Sequence, residues 1–168
     1  YPNENKRVEV TSTWMDQVDV YGGFKMKKRV VLYIRVSTEE QTLHGDSLDA
    51  QEKALIEYAE KNDYTIVKIY RDEGFSARKP AITRHAMQEL LRDAQDNKFD
   101  MILFTKMDRW FRNVKEYYKV QEVLDKCKID WKTILEDYDT TSADGRLKIN
   151  IMLSVAENEA DRTSERIK

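Results

Sequence analysis

The sequence predicts an α/β fold: a mostly parallel central sheet flanked by helices, followed by a long C-terminal helix. Three observations lead there. From residue 29 onward, β-rich apolar runs alternate with segments of helical spacing. The first run, RVVLYIRVS, is continuously apolar up to Arg35, as a strand covered on both faces must be. The last element changes character, from LKINIMLSVA at 147–156 to ENEADRTSERIK. Such a helix is apolar nearly all round in its first half and polar in its second.

Each element follows in order. Residues 1–28 show no sustained period and contain a Gly-Gly pair. They are expected to be a leader, with short extended pieces around RVEV and VDVY or partial disorder. The first strand ends in YIRVSTEEQ. SLDAQEKALIEYAEKN then places Leu48, Leu55, Ile56 and Ala59 on one helical face, with Asp46 or Ser47 able to cap its start. YTIVKIYRDEG reads as a second strand. A polar loop with Pro80 follows, and Thr83 can cap a helix that turns Met87, Leu90, Leu91 and Ala94 inward. A third strand at 101–105 exits into KMDRWFRN, and Asn113 can cap VKEYYKVQEVLDKC. IDWKTILED is the fourth strand. Strands joined through helices imply crossover units and a largely parallel sheet. The expected boundaries are a leader at 1–28, a catalytic domain at 29–146, and the truncated start of a long helix at 147–168.

Composition narrows the function classes. The 168 residues are 40% hydrophobic and 36% charged, with a formal net charge of −2. That is enough apolar material for one core. It lacks the basic excess of a general polyanion binder, so any nucleic-acid contact must rest on a local arginine cluster or on a basic domain elsewhere. The single cysteine, Cys127, excludes an internal disulfide and a Cys-rich zinc site. No apolar stretch approaches a membrane span, and no signal pattern opens the chain. A soluble cytoplasmic protein is expected.

In open parallel sheets the functional crevice lies beyond the carboxyl ends of the strands. The first strand delivers Arg35 and Ser37 there. The third delivers Lys106, Asp108, Arg109 and Arg112. The neighbouring helices carry Gln51 and Arg84. Taken singly, each residue has an ordinary reading: Ser37 as a turn or cap, Asp108 with an arginine as a surface ion pair, Gln51 as a solvated helix residue. Taken together, several planar, permanently charged guanidinium groups surround one hydroxyl. They suit the oxygens of a phosphodiester under attack by a serine.

The order YIRVSTEEQ, SLDAQ, KMDRWFRN resembles the catalytic domain of the serine site-specific recombinases, the resolvase/invertase family. The long loop RDEGFSARKPAITRHAMQELL and the extended last helix resemble its large branch, which includes conjugative-transposon recombinases and phage integrases. The resemblance covers about residues 29–168. It implies Ser37 as nucleophile and Arg35 as its activator. Gln41 and Gln51 match residues that organise the pocket, and Arg84 the arginine after the mobile loop. Asp108, Arg109 and Arg112 match the Asp-Arg-x-x-Arg signature, with Lys106 beside them as a supporting cation. Glu159 matches the acid of the long helix. The chain departs from the family pattern at His85-Ala86, Phe111 and Ala160.

The resemblance further implies a 5′-phosphoserine intermediate on double-stranded DNA attachment sites, no metal or other cofactor, and a homodimer assembling to a homotetramer. One edge strand is expected to run antiparallel. Ile149, Met152, Leu153 and Ala156 are the expected self-association patch. Two other classes fit the alternation: a metal-independent phosphodiesterase, and a non-catalytic flavodoxin-like module that would not need these arginines.

Overall fold

The computed structural model describes residues 19–21, 24–36, 48–73, 85–111 and 113–167. β1 (Asp19–Tyr21) and β2 (Phe24–Met26) form a small antiparallel pair. The main elements follow as β3 (Arg29–Val36), α1 (Leu48–Lys61), β4 (Thr65–Glu73), α2 (His85–Gln95), β5 (Met101–Phe104), α3 (Val114–Cys127), β6 (Asp130–Thr133) and α4 (Ala143–Ile167). A three-residue 3₁₀ turn, Met107–Arg109, lies between β5 and α3. No described helix is long and apolar enough to cross a membrane.

The four main strands lie in the order β4-β3-β5-β6. All three pairings are parallel, so the antiparallel edge strand expected from the family resemblance is not found among the described residues. Beside β6, an isolated antiparallel bridge joins Lys132 and Asp139. The chain leaving β6 folds back on Thr133, whose hydroxyl donates to the Glu136 carbonyl and whose amide donates to the Tyr138 carbonyl.

Side-chain alternation along β3 divides the core. Val30, Leu32 and Ile34 meet Leu55 and Ala59 of α1 together with Met101 and Leu103. Val31 and Tyr33 face the opposite layer, with Met87 and Leu90 of α2, Val120 and Leu124 of α3, and Ile149 and Leu153 of α4. β3 is the central strand, and its core residues 30–34 are fully buried. That burial on both faces explains the unbroken apolar run.

The helix ends obey local chemistry. Asn113 Oδ1 accepts from the Glu116 amide at 2.9 Å, the expected cap of α3. The chain beyond α1, α2 and α3 turns through left-handed residues that are not glycine: Asp63, Asn97 and Lys128. The expected caps Asp46, Ser47 and Thr83 lie outside the described residues, as does RVEV of the leader.

α4 differs from expectation. It starts at Ala143 rather than 147, because Ser142 Oγ accepts from the Gly145 amide at 3.0 Å and caps the first turn. Gly145 belongs there, since a Cβ would collide with the Asp139 carbonyl and come within 2.9 Å of Ser142 Oγ. Ile149 and Leu153 sit in the domain's own core, at 3% and 2% exposure. They are therefore not available as the self-association patch. From Glu157 to Ile167 every residue is exposed.

On the α2 side, buried Asp93 accepts hydrogen bonds from Tyr70 Oη at 2.6 Å, Lys98 Nζ at 3.0 Å and Lys68 Nζ at 3.4 Å. Burial alone would raise its carboxyl. The bonds from Tyr70, Lys98 and Lys68 outweigh that and hold it below the ordinary carboxylate range. Burial and the Asp93 bond together push the Tyr70 hydroxyl up. A carboxyl depressed on folding stabilises above its unfolded value, about 3.9, and loses that contribution as pH falls through the lower folded value. Asp93→Asn is therefore expected to lower the melting temperature near neutrality by several degrees. The gap between variant and wild type should narrow below pH about 4. Melting curves across pH check this, and a gap that stays constant down to pH 2 would contradict it.

Candidate active site

The strand order places the site. From β3 the chain crosses one way to β4, then back over β3 to β5, so β3 and β5 flank the topological switch point. At the carboxyl end of β3, Arg35 is 7% exposed and lies on the same face as Tyr33. Its Nε donates to the Arg109 carbonyl at 3.4 Å, and its Nη2 donates to the Asp108 carbonyl. One guanidinium thus bonds β3 to the 3₁₀ turn that follows β5. Gln51 of α1 is also buried, and its Nε2 donates to the Arg35 carbonyl at 3.3 Å. Its Oε1 has no hydrogen-bond partner among the described residues. Gln51 is accordingly not the solvated helix residue that its local sequence allows.

The turn itself is short. Arg109 N donates to the Lys106 carbonyl at 3.1 Å and Trp110 N to the Met107 carbonyl at 3.0 Å. Arg109 is buried at 7%, and its Nε lies 3.8 Å from Asp108 Oδ1. The Asp108 side chain is 67% exposed and Lys106 is exposed. The turn is anchored by Trp110, which stacks on Phe104 at 4.7 Å and meets the Tyr33 ring edge-on at 5.4 Å. Phe111, the departure from the family's small residue, packs edge-on against Tyr117 at 5.1 Å.

A second tie lies on the β4 side. Asp72 is 1% exposed. Its carboxylate accepts from Tyr33 Oη at 2.7 Å and from the amides of Ala86 and Met87 at 2.9 and 3.2 Å. Asp72 thus caps the N-terminus of α2 from a neighbouring strand and links it to β3. Sequence reasoning passed over Tyr33 and Asp72. The available signal was parity: Asp72 shares a face with Tyr70, so an acid stands where the strand turns toward the core.

The structure therefore brings together Arg35, Gln51, Lys106, Asp108 and Arg109 of the sequence-predicted set. Glu159 is exposed on α4, outside this cluster. Ser37, Gln41, Arg84 and Arg112 lie outside the described residues.

A family model described as "Resolvase, N terminal domain" matches residues 30–168. The chain belongs to this resolvase family. Among curated relatives, the resolvase-family chain is 31% identical over 137 residues to a putative DNA recombinase of Bacillus subtilis (strain 168), covering 82% of this chain and 26% of that protein. It is 29% identical over 134 residues to the transposon Tn917 resolvase of Enterococcus faecalis, covering 80% and 64%. The chain thus spans about a quarter of the first relative and under two thirds of the second. Among solved structures, the N-terminal catalytic domain of TP901-1 integrase is similar at a TM-score of 0.67 and 38% identity, covering 80% of this chain and 98% of that domain. A resolvase family site-specific recombinase from Streptococcus pneumoniae is similar at a TM-score of 0.63 and 26% identity, covering 84% and 91%.

The Asp72 tie carries a stability consequence. Asp72→Ala would strand two buried amides and remove an acceptor from the Tyr33 hydroxyl, at an expected cost of roughly 3 kcal/mol. Asp72→Asn keeps one acceptor oxygen and should cost less. Urea unfolding measures both, and an Asp72→Ala loss within about 0.5 kcal/mol, the surface range, would contradict the assignment.

Proposed function

We propose that this chain is the catalytic domain of a serine site-specific DNA recombinase that serves a mobile element. The observation that carries the reading is the bond of Arg35 to the backbone of Asp108 and Arg109. It draws two motifs some 70 residues apart onto one sheet edge, two residues before Ser37 in the chain.

In this mechanism the Ser37 Oγ attacks a DNA phosphorus. The Oγ–P bond forms as the P–O3′ bond breaks; the serine proton is lost and the departing 3′-oxygen gains one. A 3′-hydroxyl of the exchanged strand then attacks the phosphoserine and regenerates Ser37. Bond energy is conserved in the ester, so religation needs no ATP. Arg109, with Arg84 and Arg112, meets the charge that builds on the non-bridging oxygens, and Arg35 keeps Arg109 in register with the nucleophile. Preorganised donors of this kind are often the largest catalytic contribution. Asp108 and Gln51 organise the arginines, and Gln41 and Lys106 support the DNA. The proposal assigns the charge stabilisation to arginines, with no metal.

Assembly on double-stranded attachment sites follows the family pattern, as a homodimer that pairs into a homotetramer. With Ile149 and Leu153 in the core, the surface that supports self-association is the stripe Leu147, Ile151 and Val155, exposed at 58%, 56% and 52%. These residues recur every four positions along α4. Ile151 and Val155 border a groove shared with Tyr138 and Met152. The free half of α4, with Glu159, is available for partner or DNA contact.

Ser37→Ala in the full-length protein is expected to abolish the SDS-resistant protein–DNA adduct on a duplex bearing the recombination site, while DNA binding persists. An undiminished adduct would overturn the nucleophile assignment.

A further inference from the structure

We infer that Glu136, in the segment leaving β6, is a positioning residue for the Asp108–Arg109 turn. The inference rests on the recombinase reading and names the second anchor of its arginine turn. A 3₁₀ turn of three residues makes few bonds of its own and leaves its first amides without internal partners. Lys106, at the cap position, makes no side-chain capping bond. The Met107 amide, on a residue 6% exposed, donates instead to Glu136 Oε1 at 3.3 Å. The cap arrives from 29 residues away along the chain.

Three features aim Glu136 at that amide. The β5–β6 register pairs Phe104 with Thr133. The pairing continues past the strand ends, Ile134 N donating to the Phe104 carbonyl at 3.0 Å and Leu135 N to the Thr105 carbonyl at 3.1 Å. Glu136 then falls beside Met107. Its backbone is held in turn by buried Thr133, whose hydroxyl donates to the Glu136 carbonyl at 2.9 Å. The turn is thus gripped from both sides. Glu136 accepts from its leading amide, and Arg35 donates to its carbonyls at Asp108 and Arg109. With Glu136 gone, the leading amide of the turn would lose its acceptor while Arg35 and Trp110 still hold the far end, so the pitch of the turn and the placement of Arg109 would shift. A displacement of about 1 Å at a reacting centre can cost on the order of 10²-fold in rate.

The test compares Glu136→Met, which keeps the shape without an acceptor, with Glu136→Gln, which keeps the acceptor oxygen without the charge. Glu136→Asp, shorter by one methylene, serves as the milder loss should the methionine variant melt near the assay temperature. In the full-length protein, formation of the Ser37–DNA adduct at saturating DNA is expected to fall about 10²-fold in Glu136→Met. DNA affinity should be unchanged, Glu136→Gln should stay within a few-fold of wild type, and Glu136→Asp should lie between. Hydrogen exchange at the Met107 amide should quicken in the methionine variant and stay slow in the glutamine variant. Cleavage at the wild-type rate in Glu136→Met, or loss in Glu136→Gln equal to that in Glu136→Met, would overturn the inference. Failure of the recombinase reading shows separately, as a wild-type protein that forms no Ser37-dependent adduct.

Discussion

The site depends on one buried guanidinium. Arg35 emerges from the central strand at the point where the crossovers diverge, and its nitrogens take up the carbonyls of the turn after β5. An exposed ion pair at this place would contribute little and fluctuate. A buried cation bonded to backbone carbonyls is different, because breaking it strands charged donors away from water. Trp110, wedged between Phe104 and Tyr33, anchors the same turn from the apolar side. Geometry at the sheet edge is therefore held jointly by packing and by polar bonds.

Buried polar groups at the carboxyl edge of the sheet extend the scheme. Tyr33 packs its ring on Trp110 and donates its hydroxyl to Asp72, which caps α2. A shift in the turn would thus be felt at the start of α2, through one side chain of β3. On the other flank, Gln51 ties α1 to the Arg35 carbonyl. The central strand becomes a hub, and the elements around it are registered to Arg35 rather than merely packed nearby. That suits phosphoryl transfer, where catalysis is largely placement of charge around phosphorus.

Much of this was legible in the sequence. The strand and helix periods are strong because the core has two layers, so β3 reads as continuously apolar and α2 shows Met87, Leu90, Leu91 and Ala94 on one face. Asn113 announced its own helix. Arg35 meets Asp108 and Arg109 because the parallel strands β3 and β5 deliver their exits to one edge. What stayed hidden depends on tertiary partners. Gly145 lies before the helix start expected at 147, and only the close approach of Asp139 shows why glycine stands in the first turn. The apolar stretch of α4 could not reveal which stripe faces its own domain. The structure assigns Ile149 and Leu153 inward and leaves Leu147, Ile151 and Val155 outside. Asp72 and Glu136 were missed because an isolated acid in sequence looks like surface. Each caps a segment distant along the chain, 14 and 29 residues away, a relation no local pattern encodes.

The most direct test of the account is a crystal structure of the full-length protein trapped as its covalent adduct with DNA. The account predicts phosphorus on Ser37 Oγ and an Arg109 nitrogen within about 3 Å of a non-bridging oxygen. Arg35 should still donate to the carbonyls of Asp108 and Arg109. A covalent link to any other residue, or an Arg109 turned away from the phosphate with Arg35 detached from the turn, would contradict it.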